Sequence, residues 1–376
     1  MVKDSNIQMV DLAAQYKAIK AEVDEAIEGV INSSAFINGP EVKSFSSELE
    51  QYLNVKHVIP CGNGTDALQI ALMALDLEPG DEIITTPFTF IATGEVISLL
   101  KLKPVFVDIN PDNFTIDPSL IEEKISSKTK VIIPVHLYGQ ACNMDAIMQI
   151  ANKHNLFVVE DTAQALGGKF VGENGVVRTG TSGHIGCTSF FPSKNLGCFG
   201  DGGALFTNDD LLAEKIRMIC NHGSKVKYYH QVVGVNSRLD SMQAAILRIK
   251  LRKLDEYCQA RRKAADIYNE GFKNNPHLKI PVVPSYSHHV FHQYTLVAEG
   301  DRTNLQAFLK DKGIPSMIYY PVPLHIQQAY QSYGYSKGDF PHSELLSDKV
   351  ISLPMHTELD AQTQAYIIEQ VNSFYN

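Results

Sequence analysis

Apolar residues recur every three or four positions over residues 12–31 (L-A-A-Q-Y-K-A-I-K-A-E-V-D-E-A-I-E-G-V-I), a period that predicts an amphipathic helix. A turn-like segment at 36–42, F-I-N-G-P-E-V, leads into a second amphipathic helix ending at Leu53. From there the pattern changes to short apolar runs separated by helical periods. Strands are predicted at 57–61, 81–87, 103–109, 130–139 and 156–161. Helices are predicted after the 62–65 turn, over 88–100, from 118 to 124 and over 144–155. Two more apolar runs, T-S-F-F at 188–191 and A-L-F-T at 204–207, flank a glycine-rich loop. Runs of this kind suit strands buried on both faces, so the expected fold class is α/β: a three-layer, mostly parallel sheet covered by helices.

The C-terminal third reads differently. N-S-R-L-D-S-M-Q at 236–243 opens a long helix carrying Leu247, Ile249, Leu251 and Leu254. Pro281, Pro284 and a Ser/His-rich stretch to His289 then link into a smaller α+β unit. That unit is expected to hold strands at 291–298 and 315–320 and helices at 303–312, 343–349 and 361–374. The division is drawn at 1–245 for the large domain and 246–376 for the linking helix and small domain. No repeat or low-complexity tract interrupts either part.

Composition narrows the function classes. A chain of 376 residues, 44% hydrophobic and 20% charged, has ample core for two domains. Its net charge of -9 argues against a general nucleic-acid binder, and R-I-K-L-R-K at 248–253 reads as one face of an amphipathic helix. Six scattered cysteines without a C-x-x-C pair fit free thiols in a reducing compartment. His288, His289 and His292 are read as loop and strand residues, and no metal is expected. The N-terminus M-V-K-D-S-N-I-Q-M-V-D-L lacks a signal-peptide core, and no apolar run is long enough for a bilayer. The expectation is a cytoplasmic protein with no membrane or nucleic-acid partner.

In a parallel sheet, ligands gather beyond the carboxyl ends of the strands. Polar residues collect at those ends here: Gly62 to Thr65, the 88–90 segment, His136, Asp161 and Gln164. The turn G-N-G-T, between a strand and a strongly apolar helix, offers backbone amides and a hydroxyl to a phosphate, although an ordinary capped helix explains it equally well. It lacks the lysine of a nucleotide-hydrolysing loop, and G-N-G-T-D-A does not supply the G-x-G-x-x-G of a dinucleotide fold. The loop after the 188–191 run reads F-F-P-S-K-N-L-G-C-F-G-D-G-G and holds a single lysine, Lys194, among aromatic, small and glycine residues. Partial desolvation there lowers an amine's pKa and makes its nucleophilic form accessible.

Together these features suit pyridoxal 5′-phosphate. Lys194 would form an imine with the aldehyde and later shuttle a proton at the substrate carbon. Asp161, in V-V-E-D-T-A-Q, would pair with the pyridine nitrogen, and Gln164 would reach the ring's 3-oxygen. Gly64, Thr65 and Ser189 would hold the phosphate, and Phe90 would stack on the ring.

The motifs G-N-G-T-D-A-L, P-F-T-F-I-A-T, V-E-D-T-A-Q, S-F-F-P-S-K-N-L-G and V-G-V-N-S-R-L-D resemble those of the DegT/DnrJ/StrS sugar aminotransferases, from about Val10 to the C-terminus. That resemblance implies the aspartate aminotransferase-like architecture of fold-type I enzymes and a cycle through pyridoxamine phosphate. It implies L-glutamate as donor and a nucleotide-linked ketosugar as acceptor. It further implies a homodimer with shared active sites, in which Asn236 reaches the phosphate of the partner's cofactor. Within the family the chain resembles 3-oxo-sugar aminotransferases of the WbpE/WlbC type, which act on UDP-2-acetamido-2-deoxy-3-oxo-glucuronate in lipopolysaccharide and O-antigen biosynthesis. Arg238 would then meet the sugar carboxylate. The segment that typically reads H-Y-P-I-P is Y-Y-P-V-P at 319–323, so Tyr319 stands where a substrate-side histidine is expected. The dTDP-3-oxo-6-deoxyhexoses, or a C4 ketosugar, therefore stay open as acceptors. Tyr319, Tyr320 and His325 are the candidates for the sugar pocket, with a structural role for His325 an equal expectation.

Two other readings share the scaffold. Relatives that dehydrate sugars replace the lysine, commonly with histidine, and Lys194 speaks against that chemistry. A non-catalytic binding or regulatory protein should have lost some of Thr65, Asp161, Gln164 or Lys194, and all four are present.

Overall fold

The computed structural model describes residues 7–375. The first six residues, part of the stretch read against a signal peptide, lie outside them. The seven strands of the main sheet are β1 (His57–Cys61), β2 (Glu82–Thr85), β3 (Lys103–Phe106), β4 (Thr129–Ile132), β5 (Phe157–Asp161), β6 (Ile185–Ser189) and β7 (Gly203–Thr207). Their spatial order is β1-β7-β6-β5-β4-β2-β3. Strands β3, β2, β4, β5 and β6 are parallel neighbours, and β7 runs antiparallel to both β6 and β1. The expected α/β sheet is thus present, with Ser189 paired to Gly203 across the loop that carries Lys194.

Both faces are covered because the strands are apolar on both. On one side Gly64–Met73 buries Ala67, Leu68, Ile70, Ala71 and Leu72 against Ile83, Val131, Val159 and Ile185. On the other, Met144–His154 buries Met144, Ile147 and Ala151 against Ile84, Ile132 and Val158. Each of these helices starts on an asparagine, Asn63 or Asn143, whose side chain accepts from the amide three residues on. Helices Leu12–Ser33 and Pro40–Leu53 pack against Ser241–Arg252.

Several local expectations fail for identifiable reasons. Residues 118–124 do not open an α-helix; they make two three-residue 3₁₀ turns, Pro118–Leu120 and Glu122–Lys124, the first capped by the Asp117 side chain. The long linking helix is interrupted at Lys253, giving Ser241–Arg252 and Leu254–Phe272. The first piece packs with the large core through Ala244, Leu247 and Leu251. The division drawn at residue 245 falls inside that helix, and the core of the small unit draws on Ala264 onward together with Ile7. Residues 315–320 make no strand: only Met317 bridges to Ser352, since prolines at 315 and 321 bound the run and deny it donors. The third strand of the small sheet is instead Val350–Leu353, on one side of Tyr294–Ala298 with Leu278–Lys279 on the other. A hairpin of Lys169–Gly172 and Gly175–Arg178, joined by Ser287–His288, lies outside any element read from the pattern.

All six cysteines are buried and free. Among the described residues no helix is long and apolar enough to cross a membrane, and no group of His, Cys, Asp or Glu gathers as a metal site.

Candidate active site

Strand β5 ends on two adjacent acids that point to opposite faces, as successive strand residues must. Glu160 is fully buried in a structural nest. Its Oε1 accepts from the amides of Ser182 (2.7 Å) and Gly183 (2.5 Å), and its Oε2 from the amide of Gly180 (2.9 Å). His136 Nε2 lies 2.8 Å from the same Oε2, while His136 Nδ1 accepts from the Cys142 amide at 3.0 Å. An Nδ1 that accepts leaves the ring proton on Nε2, so the imidazole donates to Glu160. His136, read as a strand-end polar residue, is therefore committed to the core.

Asp161 faces the other way. Its Oδ1 accepts from the Ala163 amide at 3.1 Å, and its Oδ2 from the Thr93 hydroxyl at 2.8 Å. Among the described residues no ion pair is made to this nearly buried carboxylate. Burying an acid without a cation is costly, and the usual resolution is a partner supplied by a ligand. Lys194 is half-buried in the loop between β6 and β7, with its amide bonded to the Phe191 carbonyl at 2.8 Å. Burial pulls its amine down from 10.5 to about 8, while the carboxylate of Asp161 pulls the other way. The opposing pull places the two groups within electrostatic reach of one another.

The loop is held from behind by a lysine that sequence reading passed over. Lys250 is almost fully buried; its Nζ donates to the Gly197 carbonyl at 2.6 Å and sits 5.2 Å from the centre of the Phe199 ring. Burial lowers this amine to about 8 as well. In the sequence it belongs to a basic helical run, and nothing local distinguishes it from its exposed neighbours.

The glycine turn meets Ser189 directly. Gly64 and Thr65 are the first two residues of the helix Gly64–Met73, where free amides face outward. A β-carbon on Gly64 would lie 2.6 Å from Ser189 Cβ, and one on Gly203 would lie 2.4 Å from the Asn63 carbonyl. Behind the turn, Ser237 Oγ donates to Asp66 at 2.6 Å and accepts from the Gly62 amide at 2.8 Å. Gly64, Thr65 and Ser189 thus form one cradle, and a helix N-terminus with a hydroxyl on either side suits a phosphate.

Phe90 caps the helix Ile91–Leu99 and is half exposed, at 53%. Its ring centre stands 6.2 Å from that of Tyr320. Gln164 joins this edge to the turn after β4: its Oε1 accepts from the Tyr138 amide at 2.7 Å, and its Nε2 donates to the Tyr320 hydroxyl at 3.0 Å. A primary amide has two N–H donors, so one remains for a ring oxygen. Tyr319 is half-buried; its carbonyl accepts from the Tyr138 hydroxyl, and burial raises its own phenol.

The remaining candidates make no hydrogen bond to Lys194 or Asp161 among the described residues. His325 is fully buried, 2.9 Å from Glu344 Oε1 and edge-on to Phe340 at 4.7 Å, an arrangement that suits its structural reading. Asn236 is exposed and forms a bridge to Asn221. Arg238 lines a cavity of about 450 Å³ with Lys43, Arg217 and Asn221, and neither Lys194 nor Asp161 lines it. A cavity of about 940 Å³ beside Glu256, Lys263 and His288 is equally separate from the lysine and the acid.

The arrangement sets a half-buried lysine of lowered basicity, a nearly buried acid, a helix N-terminus packed against a serine and an exposed aromatic at the carboxyl edge of a parallel sheet. The chain is similar to known proteins over nearly its whole length. The chain is 49% identical over 376 residues to "Pleiotropic regulatory protein" of Geobacillus stearothermophilus, covering 98% of this chain and 99% of that one. It is 45% identical to UDP-2-acetamido-2-deoxy-3-oxo-D-glucuronate aminotransferase of Pseudomonas aeruginosa, covering 94% and 96%. Among solved structures, S. venezuelae DesV in complex with a ketimine intermediate superposes with a TM-score of 0.94 at 39% identity, covering 98% of each chain. Residues 17–372 match the model of the DegT/DnrJ/EryC1/StrS aminotransferase family, and the chain belongs to that family.

Proposed function

We propose that this nucleotide-sugar aminotransferase moves an amino group from L-glutamate to C3 of a nucleotide-linked 3-ketosugar, with UDP-2-acetamido-2-deoxy-3-oxo-glucuronate the leading acceptor, in cell-surface polysaccharide biosynthesis. The observation that carries the reading is a half-buried lysine in the loop after β6 together with the nearly buried Asp161 at the end of β5, which makes no ion pair among the described residues. Pyridoxal 5′-phosphate, when bound, supplies an aldehyde and a ring that accepts electrons from the substrate carbon. The chain supplies the rest. Near neutral pH a useful fraction of Lys194 is the free amine, able to condense with the aldehyde and afterwards to carry a proton to and from the substrate carbon. Asp161 would meet the ring nitrogen and keep its proton in place. Gly64, Thr65 and Ser189 would hold the phosphate, Phe90 would cover the ring, and the spare N–H of Gln164 would meet the 3-oxygen.

A homodimer completes this picture. Phe90 and Phe191 are each 53% exposed beside the site, and aromatic surface of that kind is what a second chain covers. Asn236 and Arg238 flank Ser237, which bonds the Gly62 amide and Asp66 behind the glycine turn; their expected roles at the phosphate and at the sugar carboxylate are assigned to the partner's site. Tyr319 and Tyr320, next to Phe90 and Gln164, face the sugar. A second acceptor class, the dTDP-3-oxo-6-deoxyhexoses, is favoured by Tyr319 in place of the family's histidine. The deciding experiment runs the reaction backwards: purified enzyme, 2-oxoglutarate and a panel of UDP- and dTDP-linked 3-amino and 4-amino sugars. Glutamate formed from the UDP-3-amino uronate ahead of the others supports the leading acceptor. Preference for a dTDP-3-amino-6-deoxyhexose replaces it with the second, and turnover of none rejects both.

A further inference from the structure

We propose that Thr93 is the positioning residue for Asp161, setting the plane of the carboxylate that meets the cofactor's ring nitrogen; this rests on the cofactor site described above. An aspartate's terminal torsion is broad, so one hydrogen bond leaves the carboxylate free to swing. Asp161 has two, and they come from different directions. The Ala163 amide, two residues along the same chain, holds Oδ1 at 3.1 Å. The Thr93 hydroxyl, from a helix packed on another part of the sheet, holds Oδ2 at 2.8 Å. Two fixed contacts define a plane and leave the remaining lone pairs of the carboxylate pointing one way.

The hydroxyl's own surroundings commit it to this job. Thr93 is 1% exposed. In helix interiors a threonine commonly bonds back to the carbonyl four residues earlier. Here its single proton goes to the acid, and the nearest other hydroxyl, Thr89 Oγ1, stands at 3.4 Å. Thr93 also lies three residues after Phe90, the residue that caps the same helix. One rigid turn therefore carries both the aromatic that covers the ring and the hydroxyl that aims the acid, so the two are set in register without a separate support.

The test compares Thr93→Val, Thr93→Ser, Thr93→Ala and Asp161→Asn with the parent enzyme. Three quantities are read: the dissociation constant of pyridoxal phosphate from the apoprotein, the ¹⁵N shift of a labelled ring nitrogen, and the melting temperature of each apoprotein. Removing a hydrogen bond to a charged group is worth roughly 10- to 100-fold in an equilibrium. Thr93→Val and Thr93→Ala should therefore weaken cofactor binding by about that factor and move the ring ¹⁵N shift toward the unprotonated position, while Thr93→Ser stays within roughly threefold of the parent. A merely structural threonine would lower the melting temperature and leave the ¹⁵N shift where it was, and that result overturns the proposal. So does parent-like binding in both Thr93→Val and Thr93→Ala beside a crippled Asp161→Asn. If Asp161→Asn itself binds and titrates like the parent, the role given to the acid fails, which is a different outcome and takes this proposal with it.

Discussion

Ser189 and Gly64 touch with no room for a side chain between them: a β-carbon on Gly64 would sit 2.6 Å from Ser189 Cβ and 3.2 Å from its Cα. The contact joins the end of strand β6 to the first turn of the helix Gly64–Met73, so the phosphate cradle exists only while position 64 is glycine. Gly64→Ala should weaken binding of pyridoxal phosphate by about tenfold or more while costing no more than about 1–3 kcal/mol of fold stability. Equilibrium dialysis of the apoprotein measures the first and urea unfolding the second. Ser189→Gly in the same chain removes the obstructing atom and should recover part of the lost fold stability, though not the affinity, because it also removes a hydroxyl assigned to the phosphate; a double variant no more stable than Gly64→Ala would count against the contact as the cause.

Lys194 sets a pH dependence with a definite sign. Its amine is lowered to about 8 by burial, and only the neutral form attacks an aldehyde. Cofactor capture by the apoprotein should therefore rise about tenfold per pH unit below 8 and level off above it. Because the Asp161 carboxylate pulls the amine upward, Asp161→Asn should move the inflection to lower pH. Stopped-flow absorbance follows both, and a capture rate flat from pH 6 to 9 would contradict the assignment.

The two acids of β5 should fail in different ways. Glu160 holds three amides and His136 in the interior, so Glu160→Gln turns an acceptor into a donor facing donors and should cost about 2–4 kcal/mol in apoprotein stability. Asp161→Asn should leave the apoprotein within about 1 kcal/mol of the parent and lose cofactor affinity instead. Urea unfolding and dialysis on the same pair of variants separate the roles, and reversed effects would mean the acids have been exchanged.

Arg238 distinguishes the two acceptor classes. A guanidinium opposite a sugar carboxylate makes a bidentate, charge-assisted contact that a 6-deoxy sugar cannot offer. Arg238→Ala should reduce kcat/KM for the uronate at least about tenfold more than for a dTDP-6-deoxy acceptor. Equal losses on the two substrates would remove the carboxylate from the argument.

How much of this was readable in the chain depends on the distance over which each feature is recorded. Strand β5, its closing acids and the lysine in its glycine loop are short-range patterns: apolar runs, a turn, one amine without charged neighbours. They are legible because burial and backbone geometry act residue by residue. Val350–Leu353 was hidden because four residues next to a helix carry too little periodicity to separate strand from helix end. The Lys169–Arg178 hairpin was hidden for a related reason, since its second strand faces solvent and lacks an apolar run.

The amino-acid order alone settled the fold class and pointed to a candidate nucleophile and a candidate turn for an anion, because each follows from neighbours a few positions apart. Folding in three dimensions set Glu160 in a nest of buried amides, turned His136 and His325 inward, and brought Thr93 to an acid 68 positions away. Those outcomes follow from strand order and the packing of helices on the sheet. No local pattern encodes which strand lies beside which, so the partners of a buried hydroxyl or imidazole appear only when the chain is folded.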